Sequence, residues 1–211
     1  MRIVAGRFKG RRIEAPQGDG TRPTTDRVRE ALMSSIISAW GAPLDGVRAL
    51  DAFAGSGALG LEALSRGAAS CCFFERDPKA LRVLKQNIVS LGMDPTGKLP
   101  AVTAEQLPVC AVIRGDAFKV AAAGAMRLSP YDLVLMDPPY AVPAAQVLGF
   151  MQQLASSGSL AQGALCVYEH RQGSFDPASV DAMEGFKFCG IKDYGITAVA
   201  IMCFTGKDGQ R

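Results

Sequence analysis

Two short segments carry side chains whose type and spacing suit chemistry. The first is Asp137-Pro138-Pro139-Tyr140, which follows the apolar run Leu133-Val134-Leu135-Met136. Its two prolines fix the chain and remove two N–H donors. The Asp137 carboxylate and the Pro138 carbonyl can then present a rigid pair of acceptors. An exocyclic amino group on a nucleic-acid base offers two N–H donors, so the match is one to one. The lone pair of that nitrogen is delocalised into the ring. Holding both N–H bonds favours a more tetrahedral nitrogen, with its lone pair aimed at a sulfonium methyl. Proximity and orientation of this kind supply up to roughly 7–11 kcal/mol in ideal cases. Tyr140 offers a ring face for stacking, worth on the order of 1–3 kcal/mol. A paired base could not reach such a pocket, so the target must be unpaired or flipped out.

The second segment, Asp51-Ala52-Phe53-Ala54-Gly55-Ser56-Gly57-Ala58-Leu59-Gly60, joins an apolar strand to a helix. Gly55 and Gly57 can adopt backbone angles closed to other residues and let a ligand approach the main chain. The helix start adds exposed N–H donors. The run G-S-G-A-L-G also fits a dinucleotide-binding loop, so that alternative stays open. The carboxylate of Asp51 at the strand end would repel a pyrophosphate but welcome the ammonium of a methionine moiety. Glu75, at the next strand end, can accept both hydroxyls of a ribose, a feature shared by the two readings.

The elements that must position these groups are legible from hydrophobic patterning. Apolar strands are expected at 47–51, 70–75, 109–114, 133–136 and 164–169, with helices at 58–66, 78–91 and 144–155. Residues 186–191 and 196–204 read as a terminal antiparallel pair. Continuous apolar strands separated by helices imply an α/β fold, a mostly parallel sheet covered on both faces. Functional groups collect at the carboxyl ends of such strands. Asp51, Glu75, Asp116 and Asp137 all fall there. Before the sheet, residues 2–5 and 11–14 read as a small hairpin. A Gly/Pro-rich link follows, and then a helix through Val28, Leu32, Ile36 and Trp40, capped by Thr24 or Thr25. Residues 94–108 read as an irregular loop.

Composition bounds the remainder. Of 211 residues, 48% are hydrophobic and 20% charged, enough for a core without metal or disulfide support. The net charge of +3 is too small to argue for a nucleic-acid partner by itself. Its distribution says more: Arg2, Arg7, Lys9, Arg11 and Arg12 cluster with no acid among them, a pattern that suits phosphates or a solvated edge strand. Six cysteines lie in apolar runs without CxxC spacing and read as buried thiols in a reducing cytosol. No metal site is expected. His170, the only histidine, reads as a strand-end residue. No signal peptide or membrane span is evident, so a cytoplasmic protein is expected.

Together, the Asp51–Gly60 loop and Asp137-Pro-Pro-Tyr140 resemble the class I amino-methyltransferases. The N-terminal runs Arg2-Ile-Val-Ala-Gly-Arg-Phe-Lys-Gly-Arg-Arg12 and Arg22-Pro-Thr-Thr-Asp-Arg-Val-Arg-Glu-Ala-Leu32 narrow this. They look like the bacterial 16S rRNA guanine-N2 methyltransferase family (RsmD-like). The resemblance implies a Rossmann-like domain at 42–211 and an RNA-contacting hairpin-and-helix extension at 1–41. It implies S-adenosylmethionine as methyl donor, no metal, and one guanine N2 of 16S rRNA as target, presented in the small subunit or its precursor. A monomer is expected. Asp51, Phe53, Ala54, Gly55, Ser56 and Gly57 would line the methionine end of the donor. Glu75, beside Arg76, would hold its ribose, and Asp116 with Ala117 would meet its adenine. Asp137, Pro138, Pro139 and Tyr140 would hold the target base, with Asp137 also near the donor. Arg22, Thr24, Arg27 and Arg29 would join the basic hairpin on the RNA. An adenine-N6 methyltransferase uses the same Asp-Pro-Pro-Tyr chemistry and is the nearest rival. An NAD-linked oxidoreductase and a non-catalytic ribosome-assembly factor are more distant.

Overall fold

The computed structural model describes residues 1–16, 26–98 and 107–206. Seven strands form one sheet: β1 (Arg48–Asp51), β2 (Ser70–Glu75), β3 (Val109–Arg114), β4 (Tyr131–Met136), β5 (Leu160–Arg171), β6 (Phe186–Tyr194) and β7 (Thr197–Phe204). Their order is β3-β2-β1-β4-β5-β7-β6. The first five strands run parallel, and β7 and β6 close one side antiparallel. The chain winds outward from β1 to β3, then returns to place β4 on the other side of β1. That reversal opens a crevice at the carboxyl ends of β1 and β4, where ligands bind in open α/β sheets.

Alternation along each strand divides the core in two. In β2, Cys71 and Phe73 pack with α1 (Asp26–Trp40), α2 (Ala58–Ser65) and α3 (Pro78–Ser90). Cys72 and Phe74 face the opposite layer, with α4 (Ala117–Ala122), α5 (Ala144–Ser156) and α6 (Ala178–Asp181). This is the Rossmann-like architecture expected, with helices on both faces. Short α4 and α6 were not foreseen, since neither is long enough to show a 3.6-residue period. β5 is longer than expected. Its first residues pair only at Tyr131↔Leu160 before a register shift, and Ala161 to Gly163 interrupt the apolar pattern. Of the loop expected at 94–108, Thr96 forms an isolated bridge to Ala111, and residues 99–106 lie outside the described residues. Cys71, Cys72, Cys110 and Cys166 are buried thiols, as read, whereas Cys189 is exposed near a bulge in the edge strand β6. Among the described residues no helix is long and apolar enough to cross a membrane.

The N-terminal hairpin is short: beside the antiparallel bridge Arg2↔Arg12, the Ile3 amide donates to the Arg11 carbonyl at 2.9 Å, the Gly10 amide to the Ile3 carbonyl at 2.9 Å and the Ile13 amide to the Met1 carbonyl at 3.1 Å. The segment is held by burial as well. Ile3, Phe8 and Ile13 enter the same hydrophobic cluster as Leu32, Met33 and Ile36 of α1 and the α2 side of the sheet. A buried charged group completes the join. Glu62 and Arg29 are both 0% exposed. The Arg29 Nε lies 3.4 Å from Glu62 Oε1, and its Nη2 reaches Asp26 at 2.8 Å and the Arg2 carbonyl. Glu62 Oε1 also accepts from the Val4 amide, and Arg66 approaches Oε2 at 3.4 Å. Glu62→Ala should therefore cost about 3 kcal/mol of stability, because it leaves a buried guanidinium short of its counter-charge. Urea unfolding reads this directly, and a loss under about 1 kcal/mol would show that the network is incidental.

Candidate functional site

Two strands that meet at the crevice end in acids, a third is followed by one, and a fourth carries one near its end. Asp51 closes β1 and Glu75 closes β2, Asp137 follows β4, and Glu169 lies near the end of β5. The register pairs Asp51 with both Phe73 and Leu135, and Met136 with Tyr168. Period-two alternation therefore sends Asp51, Glu75 and Glu169 to the same face of the sheet. Asp51 is 2% exposed, and its Oδ2 accepts from the Gly60 amide at 3.0 Å. Burial pushes its carboxyl up to about 7, with the nearby charges of Asp137 and Glu75 adding to the rise. Burial likewise pushes Asp137 up to about 6. Glu169 is pushed to about 8, by burial first and by Asp137 second. Crowded acids of this kind hold protons until a cation arrives.

The glycine loop crosses the mouth of this group. Gly55 (φ 53°) and Gly57 (φ 81°) both take left-handed backbone angles. A Cβ on Gly57 would stand 2.5 Å from Leu84, whereas one on Gly55 would meet open space. The loop thus packs tightly against α3 at Gly57 and leaves room beside Gly55. The third glycine of the run serves packing: a Cβ on Gly60 would lie 2.4 Å from the Phe73 ring. Ala54 and Ser56 are buried within the turn. The Gly55 amide donates to Glu75 Oε2 at 2.7 Å and the Asp77 amide to Oε1 at 2.6 Å, so the Glu75 carboxylate is oriented from both sides. Asn87 donates to the Ser56 carbonyl at 2.9 Å and to the Glu14 carbonyl at 3.0 Å, tying the loop to the N-terminal segment. Beside the loop, Phe53 meets Phe118 at 5.6 Å and Phe150 at 6.4 Å between ring centroids. Arg76 pairs with Asp116 at 3.3 Å, and Asp116 also caps α4 through the Phe118 and Lys119 amides. Ala117 is buried behind them. The structure brings all of the residues expected around a donor molecule to one end of the sheet.

Across the crevice, Pro138 is buried and Pro139 and Tyr140 are exposed. The Tyr140 ring is 46% exposed, and its hydroxyl is 2.7 Å from Thr197 Oγ1 at the start of β7. That contact fixes an aromatic face at the mouth. A cleft of about 120 Å³ opens here, lined by Pro138, Pro139, Tyr140, Tyr168, Glu169 and His170 among others. The sequence reading passed over Glu169, Thr197 and Asn87. Glu169 carried the signal already used for Asp51 and Glu75, an acid at the end of an apolar strand. Thr197 and Asn87 carried none, because their partners lie 57 and 31 residues away.

The residues expected on the RNA divide. Arg2, Arg7, Lys9, Arg11, Arg12 and Arg27 are exposed. Arg2 pairs with Asp26 at 3.0 Å. The Arg7 amide donates to the Ser65 carbonyl at 2.7 Å, and the Arg11 side chain donates to the Ser90 carbonyl. These anchors place the turn at the far end of α2 from the glycine loop. With eight residues in α2, that is about 12 Å away. Arg29 is a correction: it is buried in the Glu62 network and presents no charge to a ligand. Arg22 and Thr24, and with them the expected Thr24 or Thr25 cap, lie outside the described residues.

The sequence and the fold recur in known proteins. The family model described as conserved hypothetical protein 95 matches residues 1–203. YlbH of Bacillus subtilis, provisionally named an rRNA methyltransferase, is 34% identical over 95% of this chain and 97% of its own length. Ribosomal RNA small subunit methyltransferase D of Escherichia coli is 36% identical over 66% of this chain and 60% of its own length. The solved structure of yhhF of Escherichia coli, described as a candidate methyltransferase, superposes with a TM-score of 0.71 at 30% identity, covering 98% of both chains. With the family model spanning nearly its whole length, the chain belongs to the conserved hypothetical protein 95 family, that of ribosomal RNA small subunit methyltransferase D.

Proposed function

We propose that this protein methylates the exocyclic N2 of one guanine in 16S rRNA, within the small ribosomal subunit or its precursor, using S-adenosylmethionine. The observation that carries the reading is the meeting of two carboxylates, Asp51 beside the glycine loop and Asp137 beside the prolines, across the reversal between β1 and β4. S-adenosylmethionine supplies a methyl group on a sulfonium that leaves as a neutral thioether. It also carries an ammonium and a ribose, and the residues present fit these groups. Asp51 is a buried acid in want of a cation. Glu75 is an oriented carboxylate that would accept from a ribose diol, and Gly55 leaves space at the main chain. Asp116 and Ala117 would meet the adenine at the start of α4. Pyrophosphate does not suit this set of acids, which disfavours the dinucleotide alternative.

On the acceptor side, Asp137 and the Pro138 carbonyl hold the amino group and turn its lone pair toward the methyl. The Tyr140 face stacks on the base. The proton released from nitrogen as the bond forms passes to the Asp137 carboxylate or through it to water. The extension at 1–41 would contact RNA through Arg2, Arg7, Lys9, Arg11, Arg12 and Arg27, with Arg22 and Thr24 as further candidates. The names of the relatives support rRNA as the substrate, and guanine N2 rests on the likeness of motifs. The chain would act in the cytoplasm as a monomer.

The direct test is incubation with labelled donor and small subunits that lack the modification, followed by nucleoside analysis for N2-methylguanosine. Asp137→Ala should lower kcat by about 10²–10³-fold, as expected for loss of one preorganised group, with donor affinity little changed; unaltered turnover refutes its role. Affinity for the donor should also follow pH. Asp51 holds its proton up to about pH 7 in the folded protein and releases it near 3.9 when unfolded. The folded state therefore binds the extra proton between about pH 4 and 7. Its contribution to stability is full below that window and is lost as pH rises through it. A bound cation needs the ionised form, so calorimetric affinity should rise about 25-fold from pH 5.5 to 7.5. Asp51→Asn should flatten this slope, and a pH-independent affinity in the unaltered protein counts against a cation at that acid. Charge removal at Lys9, Arg11 and Arg12 should reduce the salt dependence of RNA binding by about one slope unit per lost phosphate contact. An unchanged slope would return these residues to plain solvated surface.

A further inference from the structure

Glu169 is a strand-end acid to which the reading above gives no work. It is 8% exposed, and its Oε2 has no hydrogen-bond partner among the described residues. A buried carboxylate oxygen without a donor is costly, and native structures rarely keep one without a use. Glu169 lines the same cleft as Pro138, Pro139 and Tyr140. The register that pairs Met136 with Tyr168 sets it beside Asp137 on the neighbouring strand. It is therefore next to the group that grips the amine, with one acceptor still to fill.

The two candidate bases differ at that place. In guanine, N1, one of the two ring nitrogens beside the N2 amino group, carries a hydrogen, whereas N3 on the other side is a bare acceptor. In adenine, N1 beside the N6 amino group carries a bare lone pair. A further acceptor on the N1 side of the amino-binding pair thus suits guanine and opposes adenine. We propose that Glu169 is the specificity residue of this site, its carboxylate accepting the N1–H of the target guanine while Asp137 and the Pro138 carbonyl hold the adjacent amino group. The proposal rests on the methyl-transfer reading and sharpens it from an amino group on a base to guanine in particular. With Glu169 ionised it also opposes adenine-N6 transfer, since two acceptors would then face each other with no proton between them.

Burial raises the Glu169 carboxyl to about 8. Near neutral pH its acid and anion are within about tenfold of each other. An N1–H donor draws it to the anion, because hydrogen bonding to the charged form favours that form. The protonated acid would suit the opposite partner, a bare ring nitrogen. Base preference is accordingly what the test must read.

The probe is 2-aminopurine placed at the target position of rRNA in reconstituted small subunits. It keeps the C2 amino group and the N3 of guanine, but its N1 is a bare acceptor. The unaltered enzyme should prefer guanine over 2-aminopurine by about 100-fold in kcat/KM, the upper range of what one well-placed contact to a base discriminates. Glu169→Gln, whose amide can turn its NH2 toward a bare nitrogen, should bring the two substrates within about threefold. A purely structural role for Glu169 would lower both rates in equal proportion and leave the ratio standing, which overturns the proposal. A preference of the unaltered enzyme for 2-aminopurine also overturns it, since Glu169 would then be acting as a donor. Absence of transfer to guanine by the unaltered enzyme is a different failure: it removes the guanine-N2 reading and this proposal with it.

Discussion

Four carboxylates sit at the carboxyl ends of adjacent strands, and mutual repulsion in a partly dry crevice governs what can bind there. Asp51, Asp137 and Glu169 each keep their protons toward neutral pH because burial penalises the anion and a neighbouring charge adds to the penalty at two of them. Such a site is unsatisfied alone. It is relieved by positive charge and by N–H donors, and S-adenosylmethionine with an amino-bearing base brings both. The fold makes the crowding possible. Parallel strands deliver their last residues to one edge, and the reversal between β1 and β4 leaves the gap that keeps the acids reachable.

Much of this was legible in the sequence, and the limits of legibility have physical causes. The ends of β2 and β3 are read from the sequence because the strands are short, apolar and followed at once by polar residues. Helix α3 is equally plain, with Asp77 accepting from the Lys79 and Ala80 amides and Pro78 in its first turn. The hairpin is present but short. Residues 1–3 and 10–13 pair through a few backbone hydrogen bonds, and the apolar positions of this segment plug into the α1–α2 layer. Arg29 shows the sharper limit. As one arginine among several at the start of a helix, it carries no mark of burial, because Glu62, the partner that makes burial tolerable, is 33 residues away. Glu169 closes an apolar run in the sequence, but its unfilled acceptor becomes evident only when β5 is set beside β4.

The Arg29–Glu62 group also explains why the N-terminal segment is more than an appendage. It bonds the main chain at Arg2 and Val4, and Asn87 bonds it again at Glu14 while gripping the Ser56 carbonyl. A surface that would touch RNA is thereby fastened to the same helices that carry the glycine turn. The basic side chains at its turn stand about a helix length from that turn, a span that suits gripping a folded RNA flank while a single base enters the crevice.

The hydroxyl contact between Tyr140 and Thr197 has a broader consequence. It assigns the aromatic face to the half of the sheet built from β4, β5 and β7, whereas Asp51, Glu75 and Asp116 belong to β1, β2 and the loop after β3. The seam of the sheet thus separates two inventories of parts. Evolution can rework one inventory to accept a new nucleobase while the other goes on gripping the same small molecule, and laboratory libraries aimed at altered selectivity can leave the first three strands alone.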